Sequence, residues 1–172
     1  MFKQCVNAVA VITALCAASP ARAQTSLMVS GGLNAPVGSL GDATDLGYIV
    51  SAGLNFGAPV SPVGVRLEGS YSDVGYKRGG GDVRLVFGTA NAIFNLGTTS
   101  DAPYLIAGLG AYNTSSSGYS GSTAVGINGG AGLRFPLNGL STFFEARYHL
   151  MLGSAAQGTN YQFIPITFGL SF

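Results

Sequence analysis

From Ile164 to Phe172 the sequence alternates without a break. Ile164, Ile166, Phe168, Leu170 and Phe172 are large and apolar, while Pro165, Thr167, Gly169 and Ser171 between them are small or polar. Successive side chains of an extended strand point to opposite faces, so a repeat of two demands one apolar and one polar side. A helix would scatter the same residues around its axis. This period returns along the chain, and that recurrence confines the fold to a sheet.

Segment 142–151 sets Phe144, Ala146, Tyr148 and Leu150 against Phe143, Glu145, Arg147, His149 and Met151. Segment 64–72 sets Val65, Leu67, Gly69 and Tyr71 against Arg66, Glu68, Ser70 and Ser72. Segment 123–135 sets Val125, Ile127, Gly129, Ala131, Leu133 and Phe135 against Ala124, Gly126, Asn128, Gly130, Gly132 and Arg134. Segment 48–56 sets Tyr48, Val50, Ala52, Leu54 and Phe56 against Ile49, Ser51, Gly53 and Asn55. Less regular segments at 26–34, 83–96 and 104–112 complete a set of eight. In 83–96 the alternation changes phase near Gly88, which predicts a β-bulge there. Pro165 donates no ladder hydrogen bond, so a bulge or a strand end is expected at its position.

The connections alternate as well. Those at 35–47, 73–82, 113–122 and 152–160 are long, whereas 57–63, 97–103 and 136–141 are short and carry turn-forming Gly, Pro, Asn and Asp. Long loops at one end and tight turns at the other describe an antiparallel up-and-down barrel of eight strands. An even strand number brings both ends of the chain to the short-turn side.

Alternation does not say which face is inside. A soluble barrel buries the apolar face, and an outer-membrane barrel turns it outward to lipid. Three features favour the membrane. The polar face is built of Gly, Ala, Ser and Asn with few long charged side chains, as a narrow eight-stranded interior requires. Aromatic residues sit near strand ends, at Tyr48, Phe56, Tyr71, Phe135, Tyr161 and Phe172, where interfacial girdles belong. Lastly, residues 1–23 read as a cleaved export signal: Lys3, an apolar stretch over 5–18, and Ala21-Arg22-Ala23 before Gln24. That apolar stretch falls short of the about 20 residues a spanning helix needs. The barrel domain is therefore expected over 24–172.

Charged residues make up only 9% of the chain, against roughly a quarter in ordinary globular proteins. Of the eight basic residues, Lys3 and Arg22 belong to the export segment, and seven acidic residues oppose the rest. That balance gives no basic patch and no nucleic-acid partner. Both cysteines, Cys5 and Cys16, precede residue 24, so the barrel holds no disulfide or thiolate site. A single histidine, His149, excludes a multi-histidine metal centre, and the glycines at 126–132 read as packing relief with no helix following to make a phosphate loop. No cofactor is implied.

The strand Phe144-Glu145-Ala146-Arg147-Tyr148-His149, the terminal run 163–172 and the segment Pro103-Tyr104-Leu105-Ile106-Ala107-Gly108 resemble the small outer-membrane β-barrels of the OmpA/OmpX-like group. That resemblance implies a multi-pass protein of the Gram-negative outer membrane, surrounded by its lipids. It further implies delivery by periplasmic chaperones and recognition of Ile164, Ile166, Phe168, Leu170 and Phe172 by the barrel-assembly machinery. A monomer is expected.

Arg66, Glu68, Arg134, Glu145, Arg147 and His149 all fall on the polar face. An ion in a sealed interior costs several kcal/mol unless paired and hydrogen-bonded, so these six are expected to form one bracing network. A water or ion path lined by the same groups is the alternative, which would make the barrel porin-like. Outer-membrane lipid A deacylases are also eight-stranded and carry a Ser-His-acid arrangement near the C-terminus. Here, however, Met151 stands two residues after His149 where those enzymes have serine, and Ser154 lies further on. The expected role is non-enzymatic, structural or surface-interacting. An extracellular ligand would meet loops carrying Asp42, Asp45, Asp73, Lys77, Arg78 and Asp82.

Overall fold

A computed structural model describes residues 25–57, 61–77, 81–97, 99, 101–116, 119–137, 140–153 and 160–172. The expected export segment, with Cys5 and Cys16, lies outside the described residues, as do Arg78 and Ser154.

The chain forms β1 (Thr25–Val37), a short helix α1 (Gly38–Ala43), β2 (Gly47–Phe56), β3 (Val63–Gly75), β4 (Asp82–Asn95), β5 (Pro103–Ser116), β6 (Tyr119–Leu137), β7 (Leu140–Met151) and β8 (Tyr161–Ser171). Each strand pairs antiparallel with the next, and β8 pairs with β1 to close the barrel. Paired residues lead from Leu27 through Leu54, Leu67, Ala90, Leu109, Ile127, Leu150 and Gln162 back to β1 at Val37. The circuit thus returns further along β1 than it began, and that stagger tilts the strands to roughly 35–45°. An eight-stranded barrel of this kind leaves an interior just wide enough for side chains to fill.

The faces follow the period-two pattern. Val65, Leu67, Val125, Ile127, Ile166 and Phe168 point outward, with Val125 still 67% exposed. Arg66, Glu68, Glu145, Arg147 and His149 point inward and are buried. A chain whose large apolar side chains face out and whose ions face in is inverted relative to a water-soluble protein.

Three local expectations need correction. No bulge occurs near Gly88: pairing runs unbroken from Val83 to Phe94 on both sides of β4. The apparent phase change arises because Val83, Leu85 and Phe87 face inward into an apolar stretch of lumen, followed inward by Thr89 and Asn91. Pro165 lies within β8, opposite Asn34 of β1, and is neither at a bulge nor at an end. On its other side the β7–β8 ladder lapses between Ala146–Ile166 and His149–Phe163, then resumes in the same register. A missing N–H therefore interrupts pairing locally without shifting it. Finally, most of the loop expected at 113–122 is strand. β5 and β6 continue past Thr114 and Ser122 through an irregularity between Thr114 and Ser116. Their Ser- and Thr-rich ends carry no apolar contrast that would mark them as strand.

Candidate functional site

The lumen is filled in layers. At the loop end Ile49, Val74, Val83, Leu85, Phe87, Tyr112, Ala124, Met151 and Phe163 form an apolar cluster, each no more than 9% exposed. Phe87 and Tyr112 stack with centroids 5.0 Å apart, and His149 stacks on Phe163 at 4.7 Å. The helix α1 lies against β1 and β8 with Leu40 buried. Its position is held by the Thr44 hydroxyl donating to the Leu40 carbonyl at 2.7 Å and by Lys77 Nζ donating to the Gly41 carbonyl at 2.6 Å.

Beneath this cluster lies a belt of four ions. Arg66 Nη1 donates to Glu145 Oε2 at 2.9 Å, Arg147 Nη2 donates to Glu68 Oε1 at 2.5 Å, and Arg147 Nε sits 2.8 Å from Glu145 Oε1. A weaker contact of 3.9 Å joins Arg66 to Glu68. All four side chains are at most 3% exposed. Arg66–Glu145 and Arg147–Glu68 span the lumen between the nonadjacent strands β3 and β7, whereas Arg147–Glu145 and Arg66–Glu68 lie within one strand each. Tyr104 of β5 adds a third strand by donating its hydroxyl to Glu145 Oε2 at 2.6 Å. Further polar groups extend the layer, including Asn128 to Asn91 and Asn91 to Thr89, both at 2.9 Å, and the Ser51–Ser70 hydroxyl pair at 2.8 Å.

The small inward residues make room for these large ones. A Cβ on Gly132 would run into the ring of Tyr104, and one on Gly169 would run into Phe143. Glycine at these inward positions is therefore a condition of filling so narrow a lumen with aromatic rings.

The six residues expected to form one network divide three ways. Arg66, Glu68, Glu145 and Arg147 are brought together. His149 instead belongs to the aromatic cluster, its Nδ1 2.9 Å from the Tyr112 hydroxyl. Arg134 stands nearer the short-turn end, with its guanidinium 4.7 Å from the Tyr104 ring centroid and Nη1 donating to Asn95 Oδ1 at 2.8 Å. Pattern alone placed all six inward, but position along each strand decides which of them meet. Tyr104, Asn55 and Asn95 are participants that sequence reading missed. Their polar atoms sit on residues whose type is equally at home in a turn or a core.

Of the residues expected at the interfaces, Tyr48 and Tyr71 lie together near the loop end, 6.2 Å apart. Phe56 and Phe135 stand near the short-turn ends of β2 and β6, and Phe172 follows β8, its N–H donating to the Leu27 carbonyl at 2.9 Å. Tyr161 differs, because it falls on the inward register of β8 and packs against the apolar cluster. Ile164, Ile166, Phe168 and Leu170 occupy the outward register of β8.

Among the described residues no group of three or more His, Cys, Asp or Glu is placed to hold a metal ion. No protein-family model and no curated protein matches the chain. Solved structures do. Neisserial surface protein A aligns at 18% identity with a TM-score of 0.66, over 86% of this chain and 95% of that one. The Yersinia pestis outer membrane protein Ail, in a phospholipid bilayer nanodisc, aligns at 18% identity and TM-score 0.53, over 86% and 99%. The N-terminal β-barrel domain of Pseudomonas aeruginosa OprF aligns at 18% identity and TM-score 0.50, over 88% and 100%. With an apolar wall outside, ions inside and these structural neighbours, the chain has the fold of the small eight-stranded outer-membrane β-barrels of the OmpA/OmpX-like kind.

Proposed function

We propose that the protein is a monomeric, non-enzymatic barrel of the bacterial outer membrane whose lumen is sealed, serving as a rigid scaffold that displays its loops at the cell surface. The observation that carries this reading is the two-layer filling of the lumen: an apolar cluster above a belt of buried, cross-strand ion pairs. Ions paired this way across a lumen resist passage of water and solute, because any path must break buried pairs at several kcal/mol each. The low-conductance path has the weaker support, since the aromatic layer blocks the loop end regardless of how the ions move. A lipid-modifying activity is disfavoured by geometry. His149 faces the lumen between Phe163, Phe87 and Tyr112, away from the lipid side of the wall.

The outward apolar surface supports contact with outer-membrane lipid. Residues 1–23 supply the export signal on this reading. Ile164, Ile166, Phe168, Leu170 and Phe172, presented on one face of the closing strand, suit recognition by the assembly machinery after passage on periplasmic chaperones. Ail has been solved with the heparin analogue sucrose octasulfate, at 16% identity to this chain. A loop ligand is the corresponding expectation here, at the loop end that carries Asp42, Asp45, Lys77 and Asp82.

Planar-bilayer recording tests the seal. The refolded barrel is expected to give no steady unitary conductance, and Glu145→Leu should not create one, because the aromatic layer remains. Steady conductance of the wild-type barrel that Glu145→Leu alters would contradict the sealed scaffold.

A further inference from the structure

The short-turn end of the lumen is built differently from the rest. Below the ion belt lies a cavity of about 70 Å³, lined by Ser26, Asn55, Asn95, Arg134, Ser141 and Ser171 among others. It is several times the roughly 10–15 Å³ that admits one water molecule. No acidic side chain lines it. Every Asp and Glu of the chain is among the described residues, and Arg134 makes no ion pair with any of them. The two lumenal acids are already committed to Arg66 and Arg147. The lumen therefore carries three guanidiniums against two carboxylates, and the uncompensated charge is on Arg134.

The groups around that charge are set to donate. Arg66 Nε donates to Asn55 Oδ1 at 2.8 Å, which fixes the amide and turns its NH₂ toward the Ser26 and Ser171 hydroxyls at 3.4 and 3.3 Å. Those hydroxyls are 2.9 Å apart, so one donates to the other and leaves the second hydrogen free. Asn95 is anchored through its Nδ2 to the Ser61 carbonyl, and its Oδ1 accepts from Arg134 Nη1. Stacking on Tyr104 fixes the plane of the guanidinium, and one of its five donors is spent on Asn95. A planar fork with spare donors, a free hydroxyl hydrogen beside it and no carboxylate is the chemistry that recognises an oxyanion.

We propose that this cavity binds a small soluble oxyanion, inorganic phosphate or an ion of its size, on Arg134 with the free hydroxyl hydrogen of the Ser26–Ser171 pair, which Asn55 holds in place. A lipid headgroup offers the same chemistry. The cavity lies within the ring of strands, however, separated by the barrel wall from the acyl chains such a headgroup would bring. The site borders the ion belt through Arg66, which lines the cavity and holds Asn55, and does not depend on whether the lumen conducts.

The test is a phosphate titration of the ¹⁵N-labelled, refolded barrel in a sugar-based neutral detergent, with ionic strength held constant by chloride. Saturable shifts are expected at Arg134 Nε–H and the Asn55 side-chain amide. Arg134→Gln should weaken the apparent affinity at least about tenfold, and Arg134→Lys should keep part of it. Folding of each variant is checked by gel mobility before boiling. If Arg134→Gln fails to fold, Ser26→Ala/Ser171→Ala keeps the charge and is expected to bind several-fold more weakly. Shifts that never saturate, or that survive unchanged in these variants, would overturn the proposal. So would a response to phosphatidylglycerol added to the micelles with none to phosphate, since the source would then be lipid.

Discussion

The two halves of the lumen are held by different physics. Near the loops, Phe87, Tyr112, Phe163, Met151 and their neighbours exclude water by packing, and each contributes independently of how its partners are charged. Across the middle, Arg66, Glu68, Glu145 and Arg147 are stable only as a set, because each buried ion relies on the others to offset its desolvation. The apolar layer should tolerate trimming gradually. The ionic layer should fail when any one partner is lost and recover when a matched pair is removed together.

Glu145→Leu carries the largest expected effect, because it strips a partner from Arg66, from Arg147 and from the Tyr104 hydroxyl at once. Stability should fall by an amount near the upper end of the ~3–5 kcal/mol typical of a broken buried pair. Adding Arg66→Met to that variant should restore much of the loss. Because the chain has no tryptophan, unfolding is best followed by circular dichroism or by gel mobility. A double variant no better than Glu145→Leu would show that the two layers do not differ in kind.

Phe163→Ala, in the apolar half, should cost about 3 kcal/mol through the cavity it leaves. A partner substitution such as Phe87→Leu should add to that loss rather than relieve it, which sharpens the contrast. The smallest effect is expected from Gly132→Ala, where the added methyl meets the Tyr104 ring. Overpacking of this kind costs about 1–3 kcal/mol. Combining it with Tyr104→Leu should recover most of that stability and link the cost to the ring.

The same contrast explains what could be read from the sequence. The ionic layer was legible because Arg66, Glu68, Glu145 and Arg147 break an apolar rhythm at every second residue, and a charged side chain among apolar ones marks its own face. The apolar layer was hidden for the converse reason. Where Leu85 and Phe87 face the lumen and Val86 faces outward, both faces are apolar and the alternation vanishes. That is how an unbroken β4 came to look bulged at Gly88. The outer wall and the strand number rest on many repeats and were recovered. The expected order of long and short connections was not, because β5 and β6 extend through most of the connection expected to be long. Which inward residues meet is set by stagger around the barrel, a property of the ladder as a whole. Arg134 and His149 therefore looked like members of a network that neither joins.

The central claim is the inversion itself: apolar side chains toward lipid and ions toward a filled lumen. Comparing boiled with unboiled protein from isolated outer membranes by gel electrophoresis tests it most directly, because a barrel closed in detergent stays compact until heated. The protein is predicted in that fraction, with the unboiled band migrating faster. Recovery in the soluble periplasm, with one mobility before and after boiling, would contradict it and return the apolar face to the inside.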